Sequence, residues 1–363
     1  MKGTAVRRMG AALKRRMCWR NLAVAIWVVG FFSALILAWP MDTKSYLRNL
    51  SSGVLADREG RILYPCLNKQ EQWCFPVDLD RVSPWLIKAT IAAEDRRFRL
   101  HPGVDPVAVI RAVKQNLVHG RVVSGASTLT MQLVKRTEGA ADSLAGKALQ
   151  ALQAVRLELR TSKNEILEAY LNGAPYGLNL VGCQSASYRF FGKPASELTL
   201  AEAALLAGLP KSPRAMMPLK NSDRALERRA YVLKRMLEEG TITREQAEAA
   251  LKEPLGTRWH ALPKLAPHLA RASASRMDRE GRVMTTLDAR IQEKAERWVR
   301  HHLSPFDGEI ENAAVMVVDV ESAEVLARVG SADFFGTVPG GQVDGCRAPR
   351  SPGSALKPFV YAM

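Results

Sequence analysis

The chain has 363 residues, 47% of them hydrophobic and 24% charged, long enough for two globular units and ordinary for a folded protein. Its formal net charge of +16 is not ordinary. Charge of that sign points to an anionic partner, either a nucleic acid or a membrane surface, and the N-terminus decides between them.

Lys2, Arg7, Arg8, Lys14, Arg15, Arg16 and Arg20 come before the first acidic residue, Asp42, and stand directly ahead of an uncharged run from Leu22 to Trp39. At about 1.5 Å per residue the run reaches roughly 27 Å, close to the thickness of a bilayer core. A single-pass transmembrane helix is therefore expected over 22–39, with residues 1–21 as a cytoplasmic basic tail and everything after Trp39 outside the cytoplasm. A cleaved signal peptide is the alternative, but its apolar core is shorter and Ala38-Trp39-Pro40 offers no small-x-small site. An exported chain with no base-stacking or groove-reading motif excludes nucleic acid and leaves the anionic membrane for the basic face.

Residues 40–82 read as a juxtamembrane β region. Arg61 to Cys66 and Gln72 to Val77 are short strand-like stretches around a polar turn, Asn68 to Glu71. A hairpin there would bring Cys66 and Cys74 opposite each other, so a disulfide and two unlinked thiols both stay open. Cys183 and Cys346 lack the partner spacing of a metal site.

Residues 83–213 read as mostly helical, with apolar positions at helical spacing in Ala148, Leu149, Leu152, Val155 and again from Ile166 to Leu171. Pro210 and Pro213 are expected to close that unit. Ala89 to Phe98 is expected to be helical, Glu94 sharing a face with Ile91 and Phe98 while Asp95 points about 100° away. Val107 to Ile110, Leu117 and Val118, with Arg111 and Lys114 interleaved, form an amphipathic stretch that either faces a core or dips into a membrane surface. Ser127 or Thr128 can cap a helix running to Lys135, and a capped start gathers amides and a positive dipole end that suit phosphate oxygens.

Residues 214–282 read as a helical linker without chemistry, broken at Gly240, with Thr243 and Gln246 at capping-box spacing. From Val283 the pattern turns to β, and Ala313 to Val320 and Glu324 to Val329 make a hairpin around Glu321-Ser322-Ala323. Further on, Ser354 and Lys357 stand one helical turn apart, where the amine can take the serine proton in acyl transfer.

Two segments carry a family resemblance. Ala92-Ala93-Glu94-Asp95-Arg96-Arg97-Phe98-Arg99-Leu100-His101-Pro102-Gly103 and, about thirty residues on, Gly125-Ala126-Ser127-Thr128-Leu129-Thr130-Met131-Gln132-Leu133-Val134-Lys135 resemble, in that order, the first two signature motifs of the peptidoglycan glycosyltransferases that head the class A penicillin-binding proteins. The stretch Ala348 to Ser354 resembles the C-type subgroup. The resemblance implies a mainly α protein: a membrane-anchored, lysozyme-like helical glycosyltransferase domain over 83–213, then the incomplete start of an α/β penicillin-binding transpeptidase domain over 283–363. It implies polymerisation of lipid II into β-1,4-linked glycan chains, with release of undecaprenyl diphosphate, on the outer face of the inner membrane. The implied partners are lipid II, the growing glycan strand, the cytoplasmic membrane and other cell-wall synthesis proteins.

Carried onto this sequence, the catalytic base is Glu94, and Asp95, Ser127, Thr128, Gln132, Lys135, Lys147 and Gln150 line the donor and pyrophosphate site, with a divalent cation, Mg2+, on the leaving group. Phe98, His101, Gly103, Gly125, Lys163, Glu168, Tyr170 and Asn172 are the motif residues around it. His101 is read as fixing a turn and not as a metal ligand, Glu202 as structural, and Glu165 with Glu168 as holding Lys163 or other basic groups. Ser354 would be the acyl-enzyme nucleophile and Lys357 its base. No Ser-x-Asn or Lys-Thr-Gly element follows in this sequence, so no transpeptidation is expected. The third motif departs from the family: its arginine is Gly146, its lysine is retained as Lys147, and its glutamate is Gln150. Glutamine keeps the shape but cannot serve as a base. That departure keeps a second reading open, a catalytically silent protein that binds lipid II.

Overall fold

The computed structural model of the protein describes residues 50–363 apart from 121–125, 140–142, 307–309, 337–339, 350 and 352, and in the N-terminal part only Trp27, Gly30 and Leu47. The span expected over 22–39 lies outside the described residues except for Trp27 and Gly30, and Gly125 lies outside them too. Among the described residues no helix is long and apolar enough to cross a membrane.

The described chain divides into two compact units, one formed by 77–177 and 195–255, the other by 50–76, 178–194 and 256–363. This division differs from the one expected from sequence. Residues 214–255 belong to the first unit instead of to a linker, and Pro210 and Pro213 do not end it. Pro210 sits in a short 3-10 turn, Leu209–Lys211, after which the chain enters another long helix of the same unit.

The first unit is mainly helical. Its helices are α1 (Pro84–Glu94), α2 (Pro106–His119), α3 (Leu129–Glu138), α4 (Leu144–Glu158), α5 (Lys163–Gly173), α6 (Leu200–Gly208), α7 (Ser222–Glu238) and α8 (Arg244–Lys252). Their ends follow local chemistry. Thr128 caps α3 by accepting the Met131 amide, and Asp105 caps α2 by accepting the Val107 and Ala108 amides. Ser162 with Glu165, Thr199 with Glu202 and Thr243 with Gln246 close reciprocal capping boxes on α5, α6 and α8. The α2 and α3 helices stop at Gly120 and Gly139, both left-handed.

Packing sorts these helices into two groups. α1, α6 and α7 pack on one another, and α3 packs against both α4 and α5. The Ala- and Leu-rich α6 is buried along almost its whole length. On α5, Ile166, Leu167, Tyr170 and Leu171 are buried, each contributing about 1.5–3 kcal/mol of apolar burial. The expected helix over 89–98 is shorter than the sequence suggests. It ends at Glu94 because Asp95 takes an extended conformation, φ −156° and ψ 81°, and Phe98 is instead buried in the turn that follows.

In the second unit, strand Val54–Ala56 runs antiparallel to Ile62–Pro65 and parallel to Arg282–Met284, so segments far apart in sequence share one three-stranded sheet. Leu55, Leu63, Ala270, Met277, Val283 and Leu287 form its core. Strands Val315–Val318 and Val325–Val329 pair antiparallel as the hairpin expected from sequence. The Cys66–Cys74 bond is absent. The Cys66 amide donates to the Gly53 carbonyl while the Ser52 amide donates to the Cys74 carbonyl. The 52–53 segment therefore runs between the two cysteines, and two strand spacings, roughly 10 Å, exceed the reach of a disulfide.

Candidate active site

The two helix groups of the first unit meet at the end of α1. Asp95 is buried, its carboxylate accepting from the Leu129 amide at 3.0 Å and lying 3.0 Å from His101 Nε2 through either oxygen. This ties the end of α1 to the start of α3 and to the turn between them. Thr128 reinforces the tie by donating its hydroxyl to the Gly103 carbonyl at 2.6 Å. Gly103 has φ +93°, and a Cβ there would stand 2.6 Å from the Ala154 carbonyl carbon, so α4 can approach only a glycine.

Glu94, one residue before this knot, has a side chain only 10% exposed. Gln132 Nε2 donates to its Oε2 at 3.0 Å, and Arg228 Nη2 lies 3.4 Å from its Oε1. Neither Arg96 nor Arg97 pairs with it: Arg96 meets Glu239 at 2.7 Å, and Arg97 forks onto Asp105. Burial works against the Asp105 charge, but the Arg97 hydrogen bond and its charge outweigh that and hold the carboxyl below its usual range. Behind Gln132, the buried Tyr170 hydroxyl donates to Gln132 Oε1 at 3.3 Å, with the Arg136 guanidinium over its ring at 4.7 Å. Burial, and after it the Glu94 charge, pushes the Tyr170 phenol up to about 12.

A cavity of about 340 Å³ opens onto Glu94. Asp95, Asp105, Ala126, Ser127 and Thr128 line it together with Arg96, Arg97, Arg111, Arg235 and Glu239. Four guanidinium groups share the cavity with four carboxylates; Arg96 is paired with Glu239 and Arg97 with Asp105, so among the described residues Arg111 and Arg235 are the two whose charge is not taken up by an ion pair and is open to an anion. The amides at the start of α3 contribute less than the sequence suggests, because Leu129 N–H is taken by Asp95 and Met131 N–H by Thr128.

The remaining residues singled out from sequence stand elsewhere. Lys163 does not pair with Glu165 or Glu168. It donates to the His101 carbonyl at 2.6 Å and to Glu158 at 2.7 Å, and lies 4.5 Å from the Phe98 ring centre. Glu165 closes its capping box, and Glu168 accepts the Leu79 amide at 3.0 Å. Asn172 exchanges two hydrogen bonds with the Val77 backbone. Lys135 and Lys147 are exposed and do not line the cavity, and Gln150 is buried with no partner for its Nε2 among the described residues. In the second unit Ser354 and Lys357 are exposed, and no hydrogen bond joins them.

Sequence reasoning missed Arg228, 134 residues from Glu94, because 214–282 was read as a linker. A signal was present. The buried stripe of α7 runs Ala225, Arg228, Arg229, Val232, Leu233, Met236 at helical spacing, so two arginines occupy apolar positions. A buried arginine needs an acceptor, and Arg228 also donates to the Gly208 carbonyl at 3.3 Å.

The donor set does not fit a protein-held divalent cation. Among the described residues no cluster of three or more His, Cys, Asp or Glu could hold a metal. The cavity carboxylates of Glu94, Asp95, Asp105 and Glu239 already face cations or N–H donors.

Residues 59–237 match the family model described as Transglycosylase, and the chain carries the glycosyltransferase domain of the class A penicillin-binding proteins. Among its relatives, Penicillin-binding protein 1C of Escherichia coli (strain K12) is 37% identical over 362 residues, 98% of this chain and 46% of that protein. Penicillin-binding protein 1A of the same organism is 39% identical over 64% of this chain and 29% of that protein, and Penicillin-binding protein 1A of Aquifex aeolicus 44% identical over 55% and 27%. The chain thus spans less than half the length of these relatives. The crystal structure of Penicillin-binding protein 1A from Haemophilus influenzae matches 71% of this chain and 30% of that one at 27% identity, with a TM-score of 0.35.

Proposed function

We propose that the protein is a peptidoglycan glycosyltransferase that polymerises lipid II, with Glu94 as the general base. The observation that supports this best is a nearly buried carboxylate on a cavity lined by four arginines, within a transglycosylase-family domain. Glu94 takes the proton of the acceptor sugar hydroxyl as that oxygen bonds to the anomeric carbon of the donor. The bond from that carbon to the pyrophosphate oxygen breaks on the opposite face, giving a β-1,4 link by inversion. The guanidinium groups of Arg111 and Arg235, which line the cavity outside the Arg96–Glu239 and Arg97–Asp105 pairs, draw the anionic donor in and offset charge on the departing pyrophosphate. Lys135 and Lys147 assist from the surrounding surface. No step is assigned to Mg2+.

The second reading, a silent lipid II-binding protein, is favoured by Gln150 alone. The test is glycan chain formation from lipid II in detergent, comparing the full chain with Glu94→Gln and Gln150→Glu. Polymer from the unmodified chain that disappears with Glu94→Gln supports the polymerase. Retained polymer in Glu94→Gln overturns it, and polymer only after Gln150→Glu supports the second reading.

The setting we propose is the outer face of the cytoplasmic membrane, with 22–39 as anchor. The apolar residues of α2 fit that setting: Val107, Ile110, Val113, Leu117 and Val118 are exposed, and only Ala108 and Ala112 of this helix are buried. Ser354 and Lys357 are proposed as the nucleophile and base of a penicillin-binding fold that begins near 283.

A further inference from the structure

Both oxygens of Glu94 are already held by protein groups, Oε2 by Gln132 Nε2 at 3.0 Å and Oε1 by Arg228 Nη2 at 3.4 Å. Of these, Gln132 presents the ambiguous group, because a side-chain amide can turn over and exchange its donor for its acceptor. Turned over, it would set Oε1 against the Glu94 carboxylate, oxygen against oxygen, and the base would lose its donor. The Glu94 charge favours the amide orientation seen, and Tyr170 holds it from the other end: its hydroxyl donates to Gln132 Oε1 at 3.3 Å.

We propose that Tyr170 is a positioning residue for Glu94, acting through the Gln132 side-chain amide. This rests on the reading of Glu94 as the base. The three residues stand on three different helices, Glu94 at the end of α1, Gln132 on α3 and Tyr170 on α5, so the relay turns the packing of those helices into the orientation of one carboxylate. Tyr170 is fully buried, and Arg136, one helical turn beyond Gln132, covers its ring at 4.7 Å. The ring therefore has no room to swing its hydroxyl away. With its phenol pushed up to about 12, the residue keeps its proton throughout the neutral range and so has one to donate to Gln132 Oε1. Neither Tyr170 nor Gln132 lines the cavity, so the relay acts on Glu94 and not on substrate.

A double-mutant cycle on lipid II polymerisation by the full chain in detergent tests this. Tyr170→Phe keeps the ring and its contact with Arg136 while removing the phenolic proton. A misplaced catalytic group costs up to about a hundredfold per ångström, and a loosened one is expected to lower kcat roughly tenfold at unchanged KM. Gln132→Met should cost about as much, and Tyr170→Phe added to Gln132→Met should change kcat by less than about twofold, since no amide is left to orient. Equal losses from Tyr170→Phe in both backgrounds would mean a purely structural tyrosine and overturn the proposal. So would a Tyr170→Phe chain at wild-type kcat. If melting shows that Tyr170→Phe does not fold, Gln132→Met alone decides, and wild-type kcat there overturns the relay. Glu94→Gln in the same assay separates the two levels: activity surviving that change removes the base itself, whereas activity lost with it but unmoved by Tyr170→Phe removes only the relay.

Discussion

The Asp95 carboxylate is the buried charge at the junction of the two helix groups, and Asp95→Asn is the substitution that isolates that charge. Asp95 is 6% exposed, and its side chain serves the Leu129 amide and His101 Nε2, all at 3.0 Å. Asparagine keeps the size and can keep one acceptor, but it turns two charge-assisted contacts into neutral ones. At a difference of about 1 kcal/mol for each contact, the expected loss is about 2 kcal/mol. For a domain of this size that lowers Tm by about 4–8 °C. Calorimetry of the full chain reads the loss. Hydrogen exchange of the Leu129 amide localises it, because that proton loses its charged acceptor at the start of α3. Polymerisation should fall as well, since the same contact fixes the distance from Glu94 to Gln132. A variant melting within about 1 °C of the wild type, with Leu129 still protected, would refute the reasoning that Asp95 joins the helix groups.

Gly103→Ala should be severe. The new methyl would meet the Ala154 backbone at 2.6 Å on a residue at φ +93°, and a loss of about 3 kcal/mol or more is expected by denaturant titration. The Arg97–Asp105 pair carries a pH signature. The Asp105 carboxyl titrates lower in the folded protein than in the unfolded chain, so its contribution is complete above the unfolded value near 4 and is lost as pH falls through the folded value below it. Arg97→Met should therefore be least stable relative to the wild type above the unfolded carboxyl value, and the gap should close in acid-unfolding curves as pH falls through the lower folded value.

What the sequence determined by itself is what depends on near neighbours. The Thr243–Gln246 box and the 315–329 hairpin follow from residues within a few positions of one another and form as read, and of the two cap candidates Ser127 and Thr128 it is Thr128 that caps. The two motif segments likewise mark the part of the chain that matches the Transglycosylase model, because each is a short contiguous string. Even local reading failed where a distant group competed. The expected helix to Phe98 is cut at Asp95 because its carboxylate is drawn to Leu129, 34 residues on. Cys66 and Cys74 look like hairpin partners until the strand carrying Gly53 comes between them.

Only the tertiary structure decided which groups hold Glu94 and Lys163. Lys163 turns to Glu158 and the His101 carbonyl instead of to its helix neighbours, and Arg228 reaches Glu94 from a helix that reads as a linker. The physical reason is common to both. A buried charge must find its counter-charge wherever packing brings one, and sequence spacing limits partners only along a single helix or hairpin. The α7 stripe shows that Arg228 is buried, but that its partner is Glu94 depends on α1, α6 and α7 packing together.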